Sequence, residues 1–168
     1  MISRETVYRE EPEDRFPMKP CPVWRSRVDW QQNEVRRIGM REHEIELRVR
    51  YDEVDAMGLV HHSNYLRYFE VGRTELLRAS GGCYRDMEDS GQLVVVVHVD
   101  CRYHRPARYD DLIRVRTRIE KVTAGKIIHA YEIARANEKL VTALVTLVVI
   151  DREGNPQRVP DALLEQYG

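Results

Sequence analysis

Residues 49–78 read VRYDEVDAMGLVHHSNYLRYFEVGRTELLR, and within this stretch the hydrophobic period changes. Up to Tyr51 apolar residues alternate with charged ones, while beyond Ser63 they recur every three or four residues. Between the two lies an acidic turn with Glu53, Asp55 and Gly58, followed by the pair His61-His62. A strand that passes into a helix through such a turn sets a carboxylate just ahead of a helix N-terminus. The free N–H groups of the first turn can there hold a developing negative oxygen while the carboxylate works on the attached carbon. The rest of the chain has to fold around this strand–turn–helix unit.

From His43 to Tyr51, Ile45, Leu47, Val49 and Tyr51 alternate with Glu44, Glu46, Arg48 and Arg50, the period of a half-buried strand. From Ser63 to Ala79, the residues Tyr65, Phe69, Gly72 and Leu76 fall on one helical face, with Ser63 or Asn64 as N-cap. Gly72 on that face predicts close approach to a sheet. Ser80-Gly81-Gly82 ends the helix, and Tyr84–Ser90 can form a short further turn of helix. Four strands are then predicted over Leu93–Val99, Leu112–Val122, Lys126–Ala136 and Leu140–Ile150, and Pro160 opens a short helix over Asp161–Gln166. This order predicts an α+β domain, with a five-stranded, mostly antiparallel sheet against one long helix. Such a sheet has open edges, so a homo-oligomer is expected.

At 168 residues the chain can bury one core. We place it at residues 41–168 and read residues 1–40, with Pro12, Pro17, Pro20 and Pro22 and no regular period, as a poorly ordered extension. The alternative is that Trp24 and Trp30 dock on the domain or on a partner. A net charge of −1 supplies no basic field for nucleic acid. Cys21, Cys83 and Cys101 have neither disulfide-framework nor zinc-knuckle spacing, and no window supplies about 20 uninterrupted apolar residues. A soluble cytoplasmic protein with no transmembrane segment is expected.

Asp55 is ionised at neutral pH and can act as nucleophile or as general base toward water. It is equally a common turn residue that bonds its own backbone, and spacing alone leaves both readings open. Glu53, two residues earlier, would face the opposite side of an extended segment and so either orients the site or stays solvated. His61-His62 lacks the spacing of a metal pair, so no metal is expected, and the economical role for His62 is its backbone N–H as oxyanion donor. His98, His104 and His129 fall in predicted strands and read as ordinary hydrogen-bonded sheet histidines. Glu70 and Arg73 read as a surface or interface ion pair, with Glu70 the second candidate for a catalytic carboxylate. There is no G-x-S-x-G, G-x-G-x-x-G or P-loop, and no cofactor is implied.

Tyr51 to Arg78, with Val54-Asp55-Ala56, Gly58, Val60, His62, Asn64-Tyr65-Leu66, Phe69-Glu70 and Arg73-Thr74-Glu75, resembles the signature of the hot-dog-fold acyl-CoA thioesterases. The type is that of 4-hydroxybenzoyl-CoA thioesterase, including the enzymes associated with the bacterial Tol-Pal system. Tyr103-His104-Arg105-Pro106-Ala107-Arg108-Tyr109-Asp110-Asp111 and the strands to Ile150 are similar too. The resemblance implies a helix wrapped by a curved sheet, dimers or tetramers, and a thioester held near the dimer interface. It places the catalytic carboxylate at Asp55 and the helix N-terminal donor at His62. Tyr65 and Glu70 would face the acyl-CoA, and Lys126, with Lys121 behind it, its nucleotide end. Glu53 stands where the family has Asp, and His61 where it has an aromatic residue. Two other readings remain: a hot-dog protein that binds acyl-CoA without hydrolysing it, and a hot-dog 3-hydroxyacyl thioester dehydratase, against which the Asp55–His62 order argues.

Overall fold

The computed structural model describes residues 40–167; Trp24 and Trp30, and with them the expectation for residues 1–39, lie outside the described residues. Strand β1 (Glu42–Arg48) leads through a 3₁₀ turn at Tyr51–Glu53 to the 16-residue helix α1 (Asn64–Ala79) and the short α2 (Tyr84–Asp89). Then come β2 (Leu93–Tyr103), β3 (Leu112–Thr123), β4 (Lys126–Arg135), β5 (Glu138–Ile150), the two-residue β6 (Pro156–Gln157) and α3 (Asp161–Tyr167). The sheet order is β1-β3-β4-β5-β2, with β6 on β5, and every pairing is antiparallel. This is the expected α+β hot-dog arrangement, with one minor strand added to the five.

Alternation in β3 and β4 decides which face is the core. Ile113, Val115, Thr117 and Ile119, with Ile127, His129, Tyr131 and Ile133, point inward, while Arg114 and Arg116 point outward to Glu42 and Glu44 on β1 and Arg118 to Glu120 on its own strand. The predicted helix face of Tyr65, Phe69, Gly72 and Leu76 is buried, and α1 packs most closely on β1 and β3. Contact there is tight because position 72 has no side chain. A Cβ at Gly72 would overlap Thr117 Oγ1 and come within 3.2 Å of Val115 Cγ1.

Most boundaries fall within about two residues of expectation, and the ends of the first two strands depart further. The first strand stops at Arg48, because Val49 turns inward to exchange backbone hydrogen bonds with Asp111 and Asp110 and Tyr51–Glu53 coils. The strand predicted over Leu93–Val99 runs on to Tyr103 and forms an edge of the sheet, with a bulge between Val96 and His98 that leaves Val96 and Val97 45% and 55% exposed.

Candidate active site

Asp55 sits in a small hairpin closed by the bridge between Val54 and Val60. Its Oδ1 accepts the Met57 N–H at 2.8 Å and, less directly, the Leu59 N–H at 3.4 Å, while its own N–H donates to Leu59 O at 2.8 Å. Gly58 completes the turn at φ +71°, a conformation that costs a side-chain-bearing residue energy. One carboxylate oxygen is thus fixed by the turn. Among the described residues the other has no partner, so the turn reading and the chemical reading are compatible in one side chain.

The hairpin is fastened to α1 through Glu53. In the 3₁₀ turn Glu53 Oε2 accepts from Tyr68 OH and from the Arg50 N–H, each at 2.7 Å, and Glu53 O accepts from the His61 N–H at 2.9 Å and Asn64 Nδ2 at 2.8 Å. Glu53 therefore ties the hairpin to α1 and is not merely solvated. Burial and this carboxylate push the Tyr68 hydroxyl's pKa up, so it remains a donor.

His62 lies two residues ahead of the first helical residue, and among the described residues its N–H has no hydrogen-bond acceptor. Its carbonyl accepts from Tyr103 OH at 3.3 Å, and its ring stacks on His61 with centroids 4.2 Å apart. Ser63 is the N-cap, but its hydroxyl lies 2.8 Å from His61 Nδ1 and makes no capping bond. The sequence reading did not single out Tyr103 for the site. Its only signal was its place at the head of the Tyr103-His104-Arg105-Pro106 motif; although Tyr103 is 51% exposed, partial desolvation of its hydroxyl, with Cys101 beside it, raises its pKa.

Tyr65 is in the core, where its hydroxyl accepts the Ala107 N–H at 3.1 Å and its ring meets Tyr68 and Tyr103 edge-on. Glu70 and Arg73 do lie together at 3.8 Å, but not as a surface pair. The Glu70 side chain is 67% exposed and that of Arg73 only 11%. Lys121 and Lys126 flank the β3–β4 hairpin, at the other end of β3 from Leu112, which pairs with the end of β1 from which the Asp55 segment departs. At about 3.4 Å per residue, some 30 Å of strand lies between Leu112 and Lys121. One chain does not bring these lysines to Asp55. The histidines also depart from expectation: His104 falls just beyond β2 and meets Thr142 Oγ1 at 2.9 Å, and His129 is buried with Nδ1 unpaired. Open depressions of about 560 Å³ on the outer sheet face and about 600 Å³ beside α3 include neither Asp55 nor His62.

A long helix wrapped by an antiparallel sheet, with an oriented carboxylate ahead of the helix start, defines the hot-dog thioesterase class. Residues 49–167 match the family model of the thioesterase-like superfamily. The chain is 39% identical over 109 residues to YneP of Bacillus subtilis, covering 64% of this chain and 79% of that protein. To the acyl-CoA thioesterase YbgC of Haemophilus influenzae it is 33% identical over 106 residues, 62% of this chain and 78% of the relative. Among solved structures, the DHNA-CoA thioesterase of Staphylococcus aureus superposes with a TM-score of 0.70 at 28% identity, covering 74% of this chain and 85% of that one. The chain belongs to the thioesterase-like superfamily and is by class a thioesterase.

Proposed function

We propose that the protein hydrolyses acyl-CoA thioesters to the free acid and coenzyme A, with Asp55 as the reacting carboxylate. The observation that carries this reading is the Asp55 side chain, held by one oxygen in its own turn and, among the described residues, unbonded at the other, in the hairpin that leads into α1. The thioester carbonyl oxygen is directed at the N–H groups of His62 and Tyr65, which have no acceptor among the described residues, whereas those of Asn64 and Leu66 are already bonded to His61 O and Ser63 O; the two free donors stabilise the negative charge it gains. Asp55 then either attacks the carbonyl carbon, giving a mixed anhydride that water cleaves, or takes a proton from a water that attacks directly. In both routes the C–S bond breaks, coenzyme A leaves as thiolate, and the acyl group acquires the oxygen of water. The relatives named for acyl-CoA thioesterase activity support the substrate class.

The exposed β2 edge, with Val96 and Val97 uncovered, supports a homodimer, or a tetramer built from two such dimers, as the working form. Lys121 and Lys126 can serve the nucleotide end of a substrate whose carbonyl lies at a second copy's Asp55. The absence of a membrane-crossing helix among the described residues and the separate Cys83 and Cys101 thiols fit a reducing cytoplasm. The test is coenzyme A thiol release over a panel of aliphatic and aromatic acyl-CoAs. Turnover of at least one supports the proposal, and binding without release from any supports a non-catalytic acyl-CoA-binding protein.

A further inference from the structure

Beneath the middle of α1, buried polar side chains meet with hydrogen-bonding capacity unspent. Arg73 Nε on α1, Thr117 Oγ1 on β3, and His129 Nδ1 and Tyr131 OH on β4 are shielded from water, and among the described residues none makes a well-formed hydrogen bond. They share one place. Thr117 lies directly under Gly72, the Phe69 ring packs on Tyr131 at 4.6 Å, His129 and Tyr131 rings are 6.1 Å apart, and Arg73 acts on His129 by its charge and on the Tyr131 and Tyr84 hydroxyls by charge and weak hydrogen bonding.

The cluster has a surplus of donors and of positive charge. Glu70 Oε2, at 3.8 Å from Arg73, is beyond hydrogen-bond distance, and its side chain stays mostly in water. His129 adds no charge, since burial and Arg73 lower its pKa from 6.5 to about 4 and leave the ring neutral. Arg73 thus has its Nε withdrawn from water and no carboxylate within hydrogen-bond distance, and a guanidinium's fork of donors matches a carboxylate.

We infer that this cluster is an end-group subsite that takes a carboxylate on the far end of the acyl chain. The substrate class is then the coenzyme A half-thioesters of dicarboxylic acids, an inference that rests on the thioesterase reading above. Arg73 follows Gly72 by one residue, about 100° round the helix, and so lies on the flank away from Tyr68 and its tether to Glu53. Its Cα is nine residues past Asn64, about 13 Å along the axis at 1.5 Å per residue. Helical side chains lean back toward the N-terminus. At roughly 1.2 Å per extended bond, an acyl chain of about six to ten carbons spans the interval from the helix start to the guanidinium.

The test compares kcat/KM for half-thioesters of dicarboxylic acids of six to ten carbons with the plain acyl-CoAs of equal length, in wild type and Arg73→Met. Methionine keeps much of the stem volume and removes the fork. A charge-assisted contact predicts that wild type prefers the carboxylated substrate by about 10- to 10²-fold at its best length, and that the ratio falls to about one in Arg73→Met. A wild-type ratio of one or less at every length, or a ratio unchanged by Arg73→Met, overturns the inference while leaving the thioesterase reading intact. No release from any thioester overturns both. Should Arg73→Met fail to fold, product inhibition of wild type decides: free dicarboxylates inhibit more strongly than equal-length monocarboxylates if the subsite exists, and no more strongly if it does not.

Discussion

Acid should weaken this fold through His129. The side chain is 6% exposed, between Ile119 of β3 and Val145 of β5 with Tyr131 and Arg73 beside it, and burial followed by the Arg73 charge lowers its pKa from 6.5 to about 4. The unfolded chain, where the imidazole titrates normally, therefore binds more protons than the folded one between those two values. Stability from this group is fully present above about pH 6.5 and is lost as pH falls toward 4. From pH 7 to pH 4.5 the loss is about 2 kcal/mol, at 1.36 kcal/mol per pKa unit. The assay is denaturant unfolding of wild type and His129→Gln at both pH values, since glutamine is polar but cannot charge and other titrating groups are common to both proteins. The stability gap between them should narrow by about 2 kcal/mol in acid. A gap of constant size would refute the reasoning and place water or an anion against the ring.

Removing the tether should loosen the site from the helix: Glu53→Ala leaves the buried Tyr68 hydroxyl without its acceptor and should cost about 1–3 kcal/mol in chemical denaturation. Gly58→Ala has room but must adopt φ +71°, so a loss of about 1 kcal/mol or more is expected, with a fall in turnover because Asp55 shares that turn. A chain beginning at Met40 should fold and keep its oligomeric state by light scattering, and the smallest active species should be a dimer; precipitation of the first or activity in a monomer would contradict these expectations.

Much of the fold was legible because two periods were written plainly. Ile45 to Val49 and Ile113 to Ile119 alternate, and Tyr65 to Leu76 repeat at helical spacing, so sheet, helix and buried faces followed from local pattern. The edge position of β2 was not legible. Leu93–Val99 is apolar at every position but His98, and only the pairing order shows that one side of that strand has no neighbour. At the site, Asp55 ahead of a helix could be read from spacing, but the role of Glu53 could not, because a 3₁₀ turn replaces the extended segment that would have pointed it away. Arg73 looked like a surface residue through its i, i+3 relation to Glu70. Its burial depends on Tyr84 and Tyr131, which reach it only through the tertiary fold.

The proposed chemistry depends on the charge at position 55. Asp55→Asn keeps size and much of the hydrogen bonding while removing that charge, so single-turnover thiol release measured beside acyl-CoA binding isolates the step. Loss of a nucleophile or general base predicts a fall of about 10²–10⁴-fold in release with binding retained, while Glu70→Gln stays active. Release by Asp55→Asn at the wild-type rate, with Glu70→Gln inactive, would instead make the helix carboxylate the reacting group.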